Sequence, residues 1–369
     1  MKVIMACGGT GGHIYPAIAI ANKIKEEHPE AEIIFVGTGR PLEKKVIPAA
    51  GYELRVISAS GLHRKKLYLN VVTAKDMIKG MIQGGRIIKE VNPVAVIGTG
   101  GYVCVPVIMR AHQMGIKTYI HEQNAKPGLA NLWLAAKADK VFLGFEEAAS
   151  YFKDKKNIFV TGNPIRKSFE ETSKEEARKQ LHEMKGSFVL LIFGGSLGAA
   201  MINRATVEAL PLLLAQEDFS IYFVTGSRYY EEILMDLEMK GLIGKPNIHI
   251  LEYAQNIDLL LGAADLVVSR AGALTLAEEA LIGTPAILIP SPNVTGNHQF
   301  HNAKAVSDKG GAVILAEKEL SGLKLAEEII NLRCDPKRLG EMASNIKNPR
   351  NKEGVDLIYG HLDLAKGGE

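Results

Sequence analysis

Cysteine, net charge and long apolar runs are all scarce in this sequence. The three cysteines, Cys7, Cys104 and Cys334, are far apart and form no C-x-x-C pair. That excludes a disulfide framework and a cysteine zinc site, and makes a reducing cytoplasm the expected compartment. A formal net charge of +3 over 369 residues is too small to imply a nucleic-acid partner without a local cluster. The two longest charge-free windows, Val91 to Met109 and Ala280 to Asn297, are broken by Gly98, Gly100, Gly101 and Pro106 and by Pro285, Pro290 and Pro292. They read as strand, loop and helix, and no membrane span is expected. After Met1-Lys2 only five apolar residues precede a glycine loop, too few for the core of a secretory signal. The 37 glycines follow no fixed period, which excludes collagen, and the composition fits neither disorder nor coiled coil.

What the chain does have is alternation. Short β-branched runs separated by helical stretches predict a parallel sheet covered on both faces. In the first half the strands are expected at Val3–Ala6, Ile33–Val36, Leu54–Ile57, Ala95–Ile97, Thr118–Ile120, Val141–Leu143 and Ile158–Val160. A turn cluster, Thr161-Gly162-Asn163-Pro164, then marks a boundary. A charged helix from Ser173 to Met184 follows, and the pattern restarts at Phe188–Phe193, Ile221–Val224, Ile248–Leu251, Leu266–Val268, Ala286–Ile289 and Val313–Leu315. Both halves open alike: Val3–Cys7 runs into Gly8-Gly9-Thr10-Gly11-Gly12-His13, and Val189–Phe193 into Gly194-Gly195-Ser196-Leu197-Gly198-Ala199. The expected fold class is therefore α/β, with two Rossmann-like, doubly wound domains and a ligand where the carboxyl ends of their strands meet. The expected domains are residues 1–163 and 164–345, with a C-terminal helix within 346–369 packing back on the first.

A glycine loop between strand and helix lets backbone N–H groups approach an anion at the positive helix end. Neither loop fits the dinucleotide fingerprint, because Ile14 and Ser196 fall where glycine is needed, and no G-x-x-x-x-G-K-[ST] occurs. Gly194-Gly195-Ser196-Leu197-Gly198 does fit G-x-S-x-G, and Asp258 or Asp265 with His298 or His301 follow in hydrolase order, so a serine hydrolase using Ser196 is an alternative. His298 and His301 could share a helix face, but no carboxylate with ligand spacing accompanies them, so no metal is expected. The paired acid D-x-D, which holds a divalent metal on a nucleotide-sugar diphosphate in one large class of glycosyltransferases, is also absent. A bound diphosphate would have to be neutralised by helix ends, backbone N–H groups and arginine, without a cofactor.

Seven motifs occur in order: Gly8-Gly9-Thr10-Gly11-Gly12-His13, Gly98-Thr99-Gly100-Gly101-Tyr102, His121-Glu122-Gln123-Asn124, Gly162-Asn163-Pro164-Ile165-Arg166, Gly194-Gly195-Ser196, Ser269-Arg270-Ala271-Gly272-Ala273-Leu274-Thr275 and Asn297-His298-Gln299. Together they span nearly the whole chain, which closely resembles the MurG family of bacterial N-acetylglucosaminyltransferases. The resemblance implies a GT-B fold and an inverting transfer of N-acetylglucosamine (GlcNAc) from UDP-GlcNAc to the C4 hydroxyl of lipid I, undecaprenyl-diphospho-MurNAc-pentapeptide, giving lipid II and UDP. An epimerase acting on UDP-GlcNAc shares the architecture and is the nearer alternative.

The resemblance also implies site residues. Ser196 and the backbone of Gly195 to Gly198 would hold the donor diphosphate with Arg166 nearby, and Ala254 would meet the uracil edge. Ala273, Leu274 and Thr275 would open a helix under the phosphates, Glu278 would accept from the ribose hydroxyls, and Gln299 would contact the sugar. By sequence alone Glu278 reads as a solvated helix charge beside Glu279. Thr10, Gly11, Gly12 and Asn124 would touch GlcNAc. His13 is the expected general base, since a helix start disfavours the imidazolium; otherwise it only shapes its loop. Glu122 is the alternative base or a partner that orients a neighbour. Gly98, Thr99, Gly100, Gly101 and Tyr102 would bind the acceptor diphosphate. Leu197 and Ala271 replace residues that are often polar in the family, and Val105 a common glycine.

A lipid acceptor implies peripheral contact with an anionic membrane at the cytoplasmic face. His63-Arg64-Lys65-Lys66 precedes a helix expected from about Asn70 to Lys89, on which Lys75, Lys79, Arg86 and Lys89 lie beside an apolar sector of Ala74, Met77, Ile78 and Met81. The alternative is that Met77, Ile78 and Met81 cover the first sheet.

Overall fold

A computed structural model describes residues 1–61, 68, 70–169, 173–183, 186–216 and 218–364; the basic cluster at 63–66 lies outside them. The chain divides into two compact units, Met1–Ile165 together with the segment from Arg350, and Arg166–Pro349.

The first unit runs Lys2–Cys7 (β1), Gly11–Glu27 (α1), Glu32–Gly37 (β2), Pro41–Ala49 (α2), Glu53–Val56 (β3), Asn70–Val91 (α3), Ala95–Gly100 (β4), Cys104–Gln113 (α4), Lys117–Glu122 (β5), Leu129–Leu134 (α5), Lys140–Leu143 (β6) and Ile158–Val160 (β7). Its seven parallel strands are ordered β3-β2-β1-β4-β5-β6-β7. Successive side chains point to opposite faces, and both faces are covered, so the strands read as unbroken apolar runs. Val3, Met5, Phe35, Ile97 and Phe142 pack beneath α1. Ile4, Ala6, Ile34, Val96 and Val141 join the core with Val107 and Ile108 of α4.

The second unit runs Lys174–Gln180 (α6), Phe188–Phe193 (β8), Ala200–Leu213 (α7), Phe219–Val224 (β9), Tyr230–Met239 (α8), Ile248–Leu251 (β10), Ile257–Ala263 (α9), Leu266–Ser269 (β11), Ala273–Ile282 (α10), Ala286–Leu288 (β12), His298–Ser307 (α11), Ala312–Ile314 (β13), Gly322–Arg333 (α12) and Pro336–Ile346 (α13). Its six parallel strands are ordered β10-β9-β8-β11-β12-β13, and α7, α8 and α12 supply Ile202, Leu210, Ile233, Leu237, Leu325 and Ile329 to its core. The charged helix is shorter than its composition predicts. Ser173 caps it by accepting from Glu176 N–H, but His182 adopts a left-handed φ of 56°, which ends it.

After α13 the chain returns to the first unit as Arg350–His361 (α14). Ile358, Leu362 and Leu364 are buried in the core beneath α1. Lys23 pairs with Asp356 at 2.8 Å, Lys140 Nζ donates to the His361 carbonyl at 2.7 Å, and Asp363 N–H donates to Tyr119 Oη at 2.8 Å.

Helix α3 corrects the amphipathic reading. Its buried residues are Thr73, Gly80, Gly84, Gly85, Ile88 and Val91, because glycines let it approach its neighbours closely. A Cβ on Gly85 would lie 2.9 Å from Arg110 Nε, and one on Gly80 would collide with the Ser58 carbonyl. Met77 packs partly against the core and Met81 is half-buried, whereas Ile78 is 63% exposed, with Val71, Val72 and Ile82 also out in solvent. Ile78 therefore does not cover the sheet.

Candidate functional site

Two glycine loops interlock at the carboxyl ends of β1 and β4. Gly8 N–H donates to the Gly100 carbonyl at 3.2 Å, and a Cβ on Gly101, whose φ is +87°, would sit 2.5 Å from the Gly8 oxygen. Thr99 Oγ1 donates to the His13 carbonyl at 2.7 Å. Gly100 packs against the imidazole of His13 so closely that a Cβ there would meet Cδ2 at 2.5 Å. The Tyr102 ring lies over Gly61, where a Cβ would collide with it. His13 thus touches Gly100 and Gly8 touches Gly101, with Thr10, Gly11 and Gly12 at the start of α1 beside them.

His13 Nδ1 lies 2.8 Å from the Gly8 carbonyl oxygen. A carbonyl only accepts, so Nδ1 carries a proton, and in the neutral imidazole the lone pair is on Nε2. That tautomer is the one a general base needs.

Glu122, at the end of β5, is 2% exposed. Its Oε1 accepts from the N–H groups of Gln123 and Asn124 and from Asn124 Nδ2, each at 3.0 Å. Its Oε2 accepts from Gly128 N–H and Asn131 Nδ2, both at 2.9 Å. Five donors occupy the carboxylate, so it staples the loop that presents Asn124, the arrangement expected of a partner that orients a neighbour. Behind it, Gln123 Nε2 donates to the Thr99 carbonyl at 2.7 Å and lies 3.2 Å from His121 Nδ1. Burial pushes the His121 imidazole down to about 4, against the Gly162 carbonyl that favours its charged form. Asn163 Nδ2 donates to the Gln123 carbonyl at 2.9 Å. This neutral network ties the β4 loop to the segment where the chain leaves the unit.

Sequence reasoning missed Glu43 of α2. It is fully buried and accepts from Gly9 N–H and Thr38 Oγ1 on Oε1, each at 2.9 Å. On Oε2 it accepts from Thr38 and Gly39 N–H, each at 2.7 Å, and from Arg40 N–H at 3.3 Å. The only signal in the sequence is an acid three residues into a helix begun by Pro41, which reads as an ordinary first-turn charge.

In the second unit, Gly198 (φ +78°) and Gly226 (φ +84°) press backbone to backbone, each position colliding with the other loop if it bore a Cβ. Asn203 Nδ2 fixes this contact by donating to the Thr225 carbonyl at 2.8 Å. The Gly195–Gly198 segment, with exposed Ser196 and Leu197, is thereby held over the start of α7. Four helices that follow such loops, α1, α4, α7 and α10, begin without a side-chain cap or an acid in the first turn. Elsewhere Ser173, Ser321 and Asp335 do cap their helices. Uncapped starts leave N–H groups and the positive dipole end for an anion.

Helix α10 begins at Ala273, Leu274 and Thr275 after Gly272. Glu278 is mostly buried with Arg166 Nη2 3.8 Å from its Oε1. Burial lifts its carboxyl to about 7, opposed by Arg166 and reinforced by Asp258. Glu279 is fully buried and rises to about 8 through burial, although Ser269 Oγ donates to it at 2.8 Å. Neither is a solvated surface charge, which corrects that reading of the helix: α10 turns both inward because its outer face is itself covered. Gln299 Oε1 accepts from Ser291 N–H at 2.8 Å, so its amide nitrogen remains as the donor. Ala254 is buried beside exposed Tyr253.

With Asp265 as its acid, the hydrolase alternative fails on geometry. Asp265 lies at the opposite end of the sheet, accepting from Val189 N–H at 2.8 Å and pairing with Lys174 and Arg178, whereas Ser196 follows the far end of β8. Ser196 has no hydrogen bond to a histidine among the described residues. Nor do those residues contain a group of three or more His, Cys, Asp or Glu able to hold a metal ion.

Residues 3–143 match the glycosyltransferase family 28 N-terminal domain and residues 189–358 its C-terminal domain. The chain belongs to glycosyltransferase family 28. It is 45% identical over 362 residues, 98% of each chain, to a protein of Alkaliphilus metalliredigens (strain QYMF) named UDP-N-acetylglucosamine–N-acetylmuramyl-(pentapeptide) pyrophosphoryl-undecaprenol N-acetylglucosamine transferase. A protein of Acetivibrio thermocellus with the same name is 43% identical, covering 97% of this chain and 96% of its own. Among solved structures the family 28 chain is similar to MurG of Acinetobacter baumannii, at a TM-score of 0.75 and 26% identity over 97% and 99% of the two chains. The two parallel-sheet domains are those of the GT-B fold. A UDP-GlcNAc 2-epimerase of Neisseria meningitidis, solved with UDP-GlcNAc, matches 98% of this chain and 99% of its own at a TM-score of 0.65. Its 16% identity is a likeness of fold alone.

Proposed function

We propose that this protein transfers GlcNAc from UDP-GlcNAc to the C4 hydroxyl of the MurNAc of lipid I, with inversion, forming lipid II and UDP in peptidoglycan synthesis. The observation that carries this reading is the 45% identity over 98% of the chain to a transferase of that name.

The second domain takes the donor. The uncapped starts of α7 and α10, with Ser196 and the N–H groups of Ala273, Leu274 and Thr275, receive the diphosphate, and Arg166 adds a cation. Glu278 accepts from the ribose diol, Ala254 meets the uracil edge, and Gln299 donates its free amide hydrogens to the sugar. The first domain takes the acceptor. The N–H groups of Gly98 to Tyr102 hold its diphosphate, while Thr10, Gly11, Gly12 and Asn124 touch GlcNAc. As O4 of MurNAc attacks C1 of GlcNAc, its proton passes to His13 Nε2. The C1–O bond breaks at the same time, and its electron pair leaves with UDP. Stabilising the leaving diphosphate falls to helix ends and Arg166.

The acceptor's lipid calls for a membrane face. Among the described residues no helix is long and apolar enough to cross a bilayer. The outer face of α3 offers Val71, Ile78 and Ile82, all more than half exposed, among Lys75, Lys79, Arg86 and Lys89. That face suits peripheral docking on an anionic cytoplasmic leaflet, each contacting cation contributing about 1 kcal/mol.

Incubation with UDP-GlcNAc and a soluble lipid I analogue tests the reaction. Disaccharide and UDP should appear in equal amounts, and no UDP-ManNAc without acceptor. Formation of UDP-ManNAc would establish the epimerase instead. Co-sedimentation with phosphatidylglycerol vesicles, lost in an Ile78→Glu, Ile82→Glu variant, tests the docking face.

A further inference from the structure

We propose that Glu43 is a positioning residue for His13, acting through the single peptide group between Gly8 and Gly9. This rests on the reading of His13 as the base. The amide N–H of that group belongs to Gly9 and donates to Glu43 Oε1 at 2.9 Å. The carbonyl of the same group belongs to Gly8 and accepts from His13 Nδ1 at 2.8 Å. A continuous chain therefore runs from carboxylate to N–H, through the conjugated amide, to C=O and on to the imidazole.

The chemistry of each link follows. All five donors to Glu43 are N–H or O–H groups, so the side chain is there as a carboxylate, an acceptor on both oxygens. A negative charge bonded to an amide N–H polarises that amide and makes its oxygen the better acceptor. The stronger acceptor holds the Nδ1–H tautomer and favours the imidazolium formed when Nε2 takes a proton. This is the work a carboxylate does when it touches a catalytic histidine directly, here passed through one peptide unit. The backbone is shaped for it. A Cβ on Gly37 would lie 2.7 Å from Oε2 and one on Gly8 3.0 Å from Oε1, and Gly9 has a φ of +95° that L side chains rarely adopt.

The other charged or titratable groups around the chain are Arg40 and Lys44 beside the glycine turns, Tyr15 on α1, Tyr102 on the β4 loop, and the thiols of Cys7 and Cys104. Burial raises both thiols, Cys104 to about 12, so neither ionises where the enzyme would be assayed.

The test compares wild type, Glu43→Gln, Glu43→Asp and His13→Ala with UDP-GlcNAc and a lipid I analogue between pH 5.5 and 9. Glu43→Gln should lower kcat about 10- to 100-fold, with KM for UDP-GlcNAc within about twofold of wild type. Its acid limb should move down by about 0.5 to 1 pH unit, because an imidazolium without its distant anion loses its proton more readily. The deficit should therefore shrink at low pH, and Glu43→Asp should recover part of kcat. A merely structural role would lower kcat equally at all pH values, and that result would overturn the proposal. Should Glu43→Gln not fold, ¹⁵N shifts of labelled histidine in the wild-type protein decide: His13 must carry its proton on Nδ1, and the Nε2–H tautomer would refute the relay. Full activity of His13→Ala would instead remove the reading of His13 as base. An inactive His13→Ala beside a Glu43→Gln with an unmoved acid limb would remove the relay alone.

Discussion

Alanine at position 100 would place a Cβ 2.5 Å from Cδ2 and 2.9 Å from Nε2 of His13. Carbon atoms rest at about 3.5 to 4.0 Å, so the imidazole must retreat by about 1 Å or the loop must open. The φ of +120° at this position adds strain on the order of 1 to 3 kcal/mol for any L side chain. Displacing a reacting group by about 1 Å costs on the order of 10²-fold in rate. Gly100→Ala should therefore fold with reduced thermal stability and lose about two orders of magnitude in kcat. UDP should still raise its melting temperature as in wild type, since the donor groups belong to the second domain. Steady-state transfer to a lipid I analogue and thermal unfolding with UDP read these outcomes separately. If the loss acts through the imidazole, adding Gly100→Ala to His13→Ala should cost little more, a non-additivity expected of groups in contact. A folded Gly100→Ala enzyme with kcat within twofold of wild type would refute the placement of His13 at the reacting hydroxyl.

Three further outcomes are expected. Glu278→Ala should weaken UDP and UDP-GlcNAc alike, by about 10- to 100-fold in calorimetric Kd, the worth of hydrogen bonds to a charged group; a loss confined to UDP-GlcNAc would move Glu278 from ribose to sugar. Glu279, lifted from 4.5 to about 8 by burial, keeps in the native state a proton that the unfolded chain releases. Its contribution to stability is therefore lost as pH rises from about 4.5 to 8. Glu279→Gln should gain on wild type between pH 5.5 and 8.5 in thermal melts, and equal differences at both pH values would contradict the shift. Asp265→Asn removes the anion facing Arg178 and Lys174 and should destabilise by about 1 to 3 kcal/mol in urea unfolding, with kcat per folded molecule unchanged.

The strands among the described residues lie where runs such as Ile33–Val36 and Val189–Phe193 predict them, because a strand buried on both faces writes its burial into consecutive residues. The glycine loops after β1, β4 and β8 are equally legible, since only glycine permits φ values such as +120° at position 100. Helix α3 is not. Its packed seam is Gly80, Gly84 and Gly85, residues with no hydrophobic signature, while Ile78 and Ile82 face outward. Glu43 and Glu279 are illegible for a related reason. Each looks like a surface charge until the fold supplies its distant partners, and Gly9 lies 34 positions before Glu43. Local pattern records which way a residue faces in its own element, not which loop will close over it.

The return of the chain as α14 has a consequence for synthesis. The strands of the first sheet are translated first, yet Ile358, Leu362 and Leu364, which complete the core beneath α1, are among the last described residues made. On the ribosome the first sheet must wait, with the face meant for α14 uncovered, while residues 166–349 emerge and can form their own core. That domain is an insertion within the other, and its folding brings Arg350 back toward the chain's beginning. Until residues 350–364 clear the ribosome, the second unit can complete its own core beside an open, chaperone-accessible apolar face, which their release would close.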